Sequence, residues 1–378
     1  MKRIIRATTI AGTLDLLEGA MAELIKKYDV QLLSSPGTML EEMGKKYGVK
    51  VHAVEMFRRM SPGKDIKSLY HLVKVFRREK PYMVHSMTPK AGLLCMLAAW
   101  WTKVPVRVHT FTGLVWPTEK GFTRKLLMFT DRVTCACATH VIPEGEGVKS
   151  DMQNHHITGK PMRVLGYGNV RGVDMVRFDR RNEVLEKAKA IRDVNRFTFV
   201  FVGRIVREKG INELCEAFVR LHSRHPNVRL ILVGTFEEQL DPVSEAARHT
   251  IKHHPDIMSA GWVYGDDVLA YYAVADCFVF PSYREGFPNT VLEAGAMGLP
   301  SIVTDINGSR EIIVEGENGT IIPPRDADAL YDAMERMMTD REWRGKMAGN
   351  ARQMIMDRFE QGYVQHCLLE YYEEIMKE

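Results

Sequence analysis

Little in this 378-residue sequence supports a disulfide scaffold, a membrane span or a metal centre. Six cysteines at no framework spacing read as reduced cytosolic thiols. Cys135 and Cys137 are one residue apart, without the second pair that zinc spacing requires. The doublets His155-His156 and His253-His254 lie in polar stretches and read as loop or helix-end residues. An Asp-rich metal signature is also missing, so no metal and no resident cofactor are expected. No apolar run approaches the roughly 20 residues of a membrane-spanning helix. The opening MKRIIRATTIAGTLDLLEGA is basic and then apolar, like an export signal, but Asp15 and Glu18 interrupt it. A first strand and helix are expected there, in a cytoplasmic protein. There is no residue-level repeat.

What is present suits a globular chain of two domains: 45% hydrophobic and 26% charged residues. The net charge of +4 hides an asymmetry. Residues 1–180 carry 29 Lys+Arg against 16 Asp+Glu, a net +13, and the remainder is −9. One half is expected to face something anionic, and it is not expected to be nucleic acid.

Short apolar runs alternate with helical patterns along nearly the whole chain. Strands are expected at 4–10, 30–35, 51–54, 82–87, 106–111, 140–143 and 162–167 (MRVLGY). The series restarts at 197–204, 228–234, 257–263, 277–282, 301–306 and 320–324. Strand-helix-strand at this spacing implies α/β architecture: two doubly wound parallel-sheet domains. The Gly-rich stretch 166–179 is the expected hinge. The domains are placed at 1–172, with about 356–378 as a returning C-terminal helix, and 173–355. Ligands of such sheets sit beyond the carboxyl ends of the strands, so two facing sheets would share one cleft.

Two stretches fall at such ends. In VGRIVREKGINEL (202–214), Gly203, Arg204, Lys209 and Gly210 stand between a strand and a helix. Backbone N–H groups, the helix dipole and two cations there suit a diphosphate; the alternative is a solvated polar turn. In YREGFPNTVLEAGAMGLP (283–300), Glu285 lies in the loop after CFVFPS and Glu293 about one turn inside the next helix. Between them Phe287, Asn289 and Thr290 offer N–H groups, and Pro288 offers none. A sugar bearing a diphosphate fits; the alternative is that Glu285 caps the helix or pairs with Arg284. A glycosidase pair of carboxylates is disfavoured, because a phosphate cradle lies beside them.

VGRIVREKG followed by FPSYREGFPNTVLEAGAMGLPSIVTDINGSREII resembles the family-4 retaining glycosyltransferases of GT-B fold. The first half, with RRMSPGKDIKSLYHLVKVFRREKPYMVHSM, is similar to the subgroup that builds bacterial surface polysaccharides. The resemblance implies that Arg204 and Lys209 hold the donor diphosphate and stabilise the leaving group. It implies that Glu293 binds the nucleotide ribose and Glu285 the transferred sugar. Gly286, Phe287, Pro288 and Asn289 would form the loop around sugar and phosphate, and Gly203 and Thr290, from the two stretches above, are expected beside the donor as well. The donor would be a nucleotide-sugar, with UDP the expected base.

One departure concerns the Thr-x-His-Gly pattern of many relatives. Here the residues are Thr110-Phe111-Thr112-Gly113, with His109 three residues before the usual place. His109 is therefore either a catalytic contact or a core strand residue. The first loop, Ala11-Gly12-Thr13, lacks the usual paired glycines, leaving Gly12 as the donor-side candidate. The implied acceptor is an oligosaccharide or lipid-linked glycan. Arg58-Arg59, Arg77-Arg78 and Arg124-Lys125, with Trp100-Trp101 and Trp116, suggest peripheral binding to the anionic inner face of the cell membrane. The rival readings are a GT-B enzyme of soluble sugars, a sugar-nucleotide epimerase, and a non-catalytic sugar-binding protein.

Overall fold

The computed structural model describes residues 1–57, 61–237 and 241–377. The chain forms two compact units: Met1–Gly172 with the segment from Gln361 onward, and Val173–Glu360.

The first unit holds six parallel strands: β1 (Arg3–Ala7), β2 (Asp29–Ser34), β3 (Lys50–Ala53), β4 (Met83–Met87), β5 (Val106–Phe111) and β6 (His140–Pro143). Their order is β3-β2-β1-β4-β5-β6. The second unit repeats this with β7 (Phe197–Val202), β8 (Val228–Val233), β9 (Ile257–Gly261), β10 (Cys277–Phe280), β11 (Ser301–Thr304) and β12 (Gly319–Ile322). Its order, β9-β8-β7-β10-β11-β12, is the same winding. Each sheet therefore reverses direction once, between β1 and β4 or between β7 and β10. That point opens a crevice at the carboxyl ends.

The central strands read as continuous apolar runs because helices cover both faces. In β10, Cys277-Phe278-Val279-Phe280 is wholly buried. The rings of Phe201, Phe280 and Phe278 stack across β7 and β10 at centroid spacings of 5.9 Å. This fixes the two strands that flank the second crevice.

Two features differ from expectation. The run 162–167 is not a strand; only Met162 bridges to Val141 of β6. Gly166 (φ +57°), Gly168 (φ +93°) and Asn169 (φ +63°) bend the chain immediately afterwards, which ends any extended pairing. The C-terminal chain also forms two helices. Arg341–Phe359 stays with the second unit, where Gly295 admits Ile355: a Cβ at 295 would lie 2.6 Å from its side chain. Gln361–Ile375 belongs to the first unit, burying Leu368, Tyr371, Tyr372 and Ile375. The Tyr372 hydroxyl hydrogen-bonds His85 Nδ1, and His85 Nε2 lies 2.7 Å from Thr110 Oγ1. Burial drives the His85 pKa well down, so the ring is a neutral linker.

Candidate functional site

In the second unit the site is built where β7 and β10 diverge. Gly203 leaves β7 at φ +156°, with its carbonyl pressed on the β8 exit: a Cβ on Gly234 would lie 1.8 Å from that oxygen. One helical turn, Arg207–Lys209, then leads through Gly210 (φ +70°) into the helix Ile211–Arg224. A Cβ on Gly210 would lie 2.0 Å from the Pro281 carbonyl oxygen. Only glycine lets this helix start directly against the chain leaving β10. That contact brings Lys209 to Glu285, 76 residues away in sequence.

Lys209 Nζ and Glu285 Oε1 form an ion pair whose side chains are only 11% and 16% exposed. Ser282 Oγ lies 2.8 Å from the same carboxylate oxygen. Glu285 is thus neither a helix cap nor the partner of Arg284. Arg284 instead donates to Glu208 Oε2 at 2.9 Å. Arg204 donates to Glu208 Oε1 at 2.7 Å and to Glu237 Oε2 at 2.8 Å. Glu208 therefore ties together the loops after β7 and β10, a role for which the sequence gives no separate motif.

The helix Asn289–Ala296 starts beside this network, with Pro288 at its N-cap, a residue with no side-chain acceptor to offer. Phe287 is buried against Phe359, with centroids 5.4 Å apart. Gly308 (φ +73°), in the loop after β11, closes on the same segment. A Cβ there would lie 2.5 Å from the Gly286 carbonyl oxygen and 2.7 Å from Phe287 Cα. Sequence reasoning did not single out Gly308, although Asn307-Gly308 is a turn dipeptide. Glu293 sits inside the helix, buried, and accepts from the Tyr272 hydroxyl at 3.1 Å. Gly203, Arg204, Lys209, Glu285, Gly286, Phe287, Pro288, Asn289, Thr290 and Glu293 thus occupy the loops and helix start around one crevice. It presents fixed cations, a helix N-terminus and two carboxylates.

The corresponding crevice of the first unit differs. Thr88, between β4 and the helix Pro89–Trp101, has φ +73°, a strained value for a β-branched residue. Thr9 holds it: Thr9 N donates to Thr88 Oγ1 at 3.1 Å, and the two hydroxyls lie 2.7 Å apart. Beyond them is a cavity of about 290 Å³ lined by Thr9, Ile10, Leu93, Val115 and Leu127. Lys90 at its edge is paired with Asp65 at 2.6 Å. Gly12 is exposed, and a Cβ there would touch nothing within 4 Å. The close approach in this region is at Gly37, where a Cβ would lie 2.6 Å from Ala11 Cβ.

His109 occupies the core of the first unit. It is 1% exposed, and its Nδ1 lies 3.0 Å from the Ser86 carbonyl oxygen. Its ring fills the space that a Cβ on Gly92 would need. Burial pushes its pKa down to about 3, so it is a neutral core ring, away from the cavity lining. Trp116 is also core rather than surface, donating from Nε1 to Asp131 Oδ2 at 3.1 Å. Trp100 and Trp101 are 56% and 62% exposed. Arg77 and Arg78 are exposed, and Arg124 lies over the Trp116 ring. Arg58 and Arg59 lie outside the described residues.

Cys135 and Cys137 are buried free thiols, and burial pushes Cys135 up to about 12. Among the described residues no group of three or more His, Cys, Asp or Glu could hold a metal ion. Nor is any helix among them long and apolar enough to cross a membrane.

Residues 16–168 match the family described as "Glycosyl transferase 4-like domain", and residues 184–354 match "Glycosyl transferases group 1". The chain is 31% identical to a capsular polysaccharide biosynthesis glycosyltransferase, CapM, of Staphylococcus aureus, over 100% of this chain and 98% of that one. It is 28% identical to the UDP-Gal:alpha-D-GlcNAc-diphosphoundecaprenol alpha-1,3-galactosyltransferase of Escherichia coli, over 80% and 78% of the two chains. Among solved structures, Anabaena Alr3699/HepE in complex with UDP-glucose superposes with a TM-score of 0.81 at 16% identity. That match covers 99% of this chain and 100% of the other. A glycosyltransferase from Rickettsia africae gives a TM-score of 0.78 at 21% identity, over 100% and 99%.

Proposed function

Because this chain belongs to the GT-B-fold glycosyltransferases related to enzymes of bacterial surface-polysaccharide biosynthesis, we propose that it moves a sugar from a UDP-sugar to a growing, lipid-carrier-linked surface glycan with retention of configuration. The observation that carries this reading is the Lys209–Glu285 pair beside Arg204 and the start of the helix Asn289–Ala296. A diphosphate arriving there exchanges one set of anionic partners for another. Arg204 and Lys209 turn from carboxylates to phosphate oxygens, and the helix N-terminus takes up remaining charge. Leaving of UDP concentrates negative charge on its terminal phosphate, which these fixed donors stabilise without a divalent ion. Glu285, released from Lys209, binds hydroxyls of the transferred sugar. Glu293, held by Tyr272, binds the ribose.

The names of the relatives support UDP as the nucleotide and a diphosphate-linked lipid as the acceptor carrier. The apolar crevice of the first unit suits the acceptor side. Exposed Trp100 and Trp101, with Phe122 and Phe129 beside Lys120 and Lys125, suit reversible contact with an anionic membrane.

The test is incubation with UDP-sugars, with and without a lipid-diphosphate-linked glycan. UDP release in EDTA, and an α-linked product from an α-linked donor, are the expected results. Complete dependence on added magnesium or manganese would remove the metal-free part of this proposal. Glu293→Gln should weaken UDP itself, whereas Glu285→Gln should lower turnover at unchanged UDP affinity. Equal losses of UDP binding in both would undo that division of roles.

A further inference from the structure

Away from both crevices, the first unit carries a groove of about 660 Å³ between the edge strand β3 with the chain that follows it and the helix Pro62–Glu79. The helix lines it with Lys64, Lys67, His71, Lys74 and Arg78. The spacing of Lys67, His71, Lys74 and Arg78 (four, three and four residues) keeps them on one side of the helix. With a rise of about 1.5 Å per residue, they form a line of roughly 16 Å.

The charges are largely unspent. Glu55 is the single carboxylate among the described lining residues, and it is exposed. Among the described residues no carboxylate pairs with Lys64, Lys67 or Lys74; Lys64 Nζ lies over the Phe57 ring at 4.0 Å. Among the described residues Arg78 is the one of these cations paired with a carboxylate, Glu79 at 2.7 Å, and it also lies 3.4 Å from His52 Nδ1. A stripe of like charges on one helix face destabilises that helix unless something neutralises it. Some cations elsewhere on the same unit are matched, Lys90 with Asp65 and Lys46 with Glu18.

We propose that this groove binds an extended acidic glycan, a saccharide chain bearing carboxylates or phosphates at intervals. The occupant follows from shape as well as charge. A bilayer presents a broad surface and makes contact with a convex or flat face. A recess walled by a strand edge and a helix admits one chain. The line of four basic side chains matches charges spaced along a few sugar units, where a single phosphate would engage only two of them. The proposal rests on the transferase reading, for which it supplies a holding site for chain already made. It predicts that affinity falls with salt, because the contacts are between exposed charges.

The experiment uses the full chain and a tetrasaccharide of alternating hexuronate and N-acetylhexosamine, with its carboxyl-reduced neutral counterpart as control. Calorimetry should show binding of the acidic form and none of the neutral one. Lys67→Gln/Lys74→Gln should weaken that binding at least tenfold, while Arg77→Gln, on the same helix but outside the groove, stays within twofold. All three proteins should bind UDP alike. Equal affinity for the two tetrasaccharides, or an equal loss in Arg77→Gln, overturns the groove. So do vesicles of phosphatidylglycerol that displace the tetrasaccharide and need Lys67 and Lys74 to bind, since the surface is then a membrane contact. A wild type that binds the acidic tetrasaccharide but not UDP supports the groove and defeats the transferase reading.

Discussion

The two crevices have the same topology and opposite chemistry. Between β7 and β10 the loops carry two sets of ion pairs, Arg204 and Arg284 on Glu208 and Lys209 on Glu285, and glycines with positive φ press one backbone against another. Between β1 and β4 the loops carry threonines and aliphatic side chains around a cavity, and Gly12 is under no steric demand. Winding order decides where a ligand can sit. The side chains at that place decide what it is. The charged crevice is closely packed in its backbone, as the proposed diphosphate site would require, since fixed dipoles and cations stabilise charge best when their positions are set beforehand. The apolar crevice spends its one strained residue, Thr88, on shape.

The comparison breaks most readily at Lys209. Lys209→Ala and Arg204→Ala should each lower kcat about a hundred- to a thousandfold at saturating donor, the usual cost of losing one preorganised charge at a developing anion. Near-normal turnover in both variants would mean the charged crevice is not the donor site. Next in size is Gly210→Ala. A Cβ 2.0 Å from a backbone carbonyl, at φ +70°, should cost about 3 kcal/mol in urea unfolding, since neither the carbonyl nor the φ can relax cheaply. A loss below about 0.5 kcal/mol would show that the loops have more slack than their packing implies.

A smaller effect is expected in the first unit from Asp131, whose carboxyl burial pushes up to about 7 against the pull of the Trp116 N–H. Its folded pKa exceeds the unfolded value near 3.8, so the folded state holds the proton more tightly. This contribution to stability is full below pH 3.8 and is lost as pH rises towards about 7. Asp131→Asn should therefore flatten that part of the stability profile and raise stability at pH 8 by about 2 kcal/mol. An unchanged profile would place the carboxylate in contact with water. Smallest of all is Gly12→Ala, expected within about 0.5 kcal/mol and with unaltered UDP affinity. A large loss of donor binding there would return Gly12 to the donor's path.

Much of this arrangement is legible in the sequence, and particular residues show why the rest is not. Val106–Phe111 and His140–Pro143 read directly as strands, because their apolar runs are short and bounded by turn signals. The run 162–167 has the same apolar character. What ends it is the backbone sign at Gly166 and Gly168, which composition does not reveal. His109 could not be decided from pattern, since β5 is buried on both faces and either parity points into the protein. The motifs place Lys209 and Glu285 after neighbouring strands. Their pairing depends on Gly210 passing under Pro281, a contact across 71 positions. Gly37 and Gly308 carry no legible signal for the same reason: the atoms that would meet their Cβ come from other loops.

The return of Gln361–Ile375 to the first unit has a consequence for biosynthesis. On the ribosome, the first 172 residues emerge before the second unit, yet Leu17, Met21 and Leu24 belong to the same buried cluster as Leu368, Tyr372 and Ile375, still unmade. Until they arrive, His85 has no tyrosine hydroxyl at its Nδ1, and an apolar face stays open to water. Domains commonly fold in the order in which they are translated. Here the second unit can close its own sheet first, and the half that began earliest is completed last.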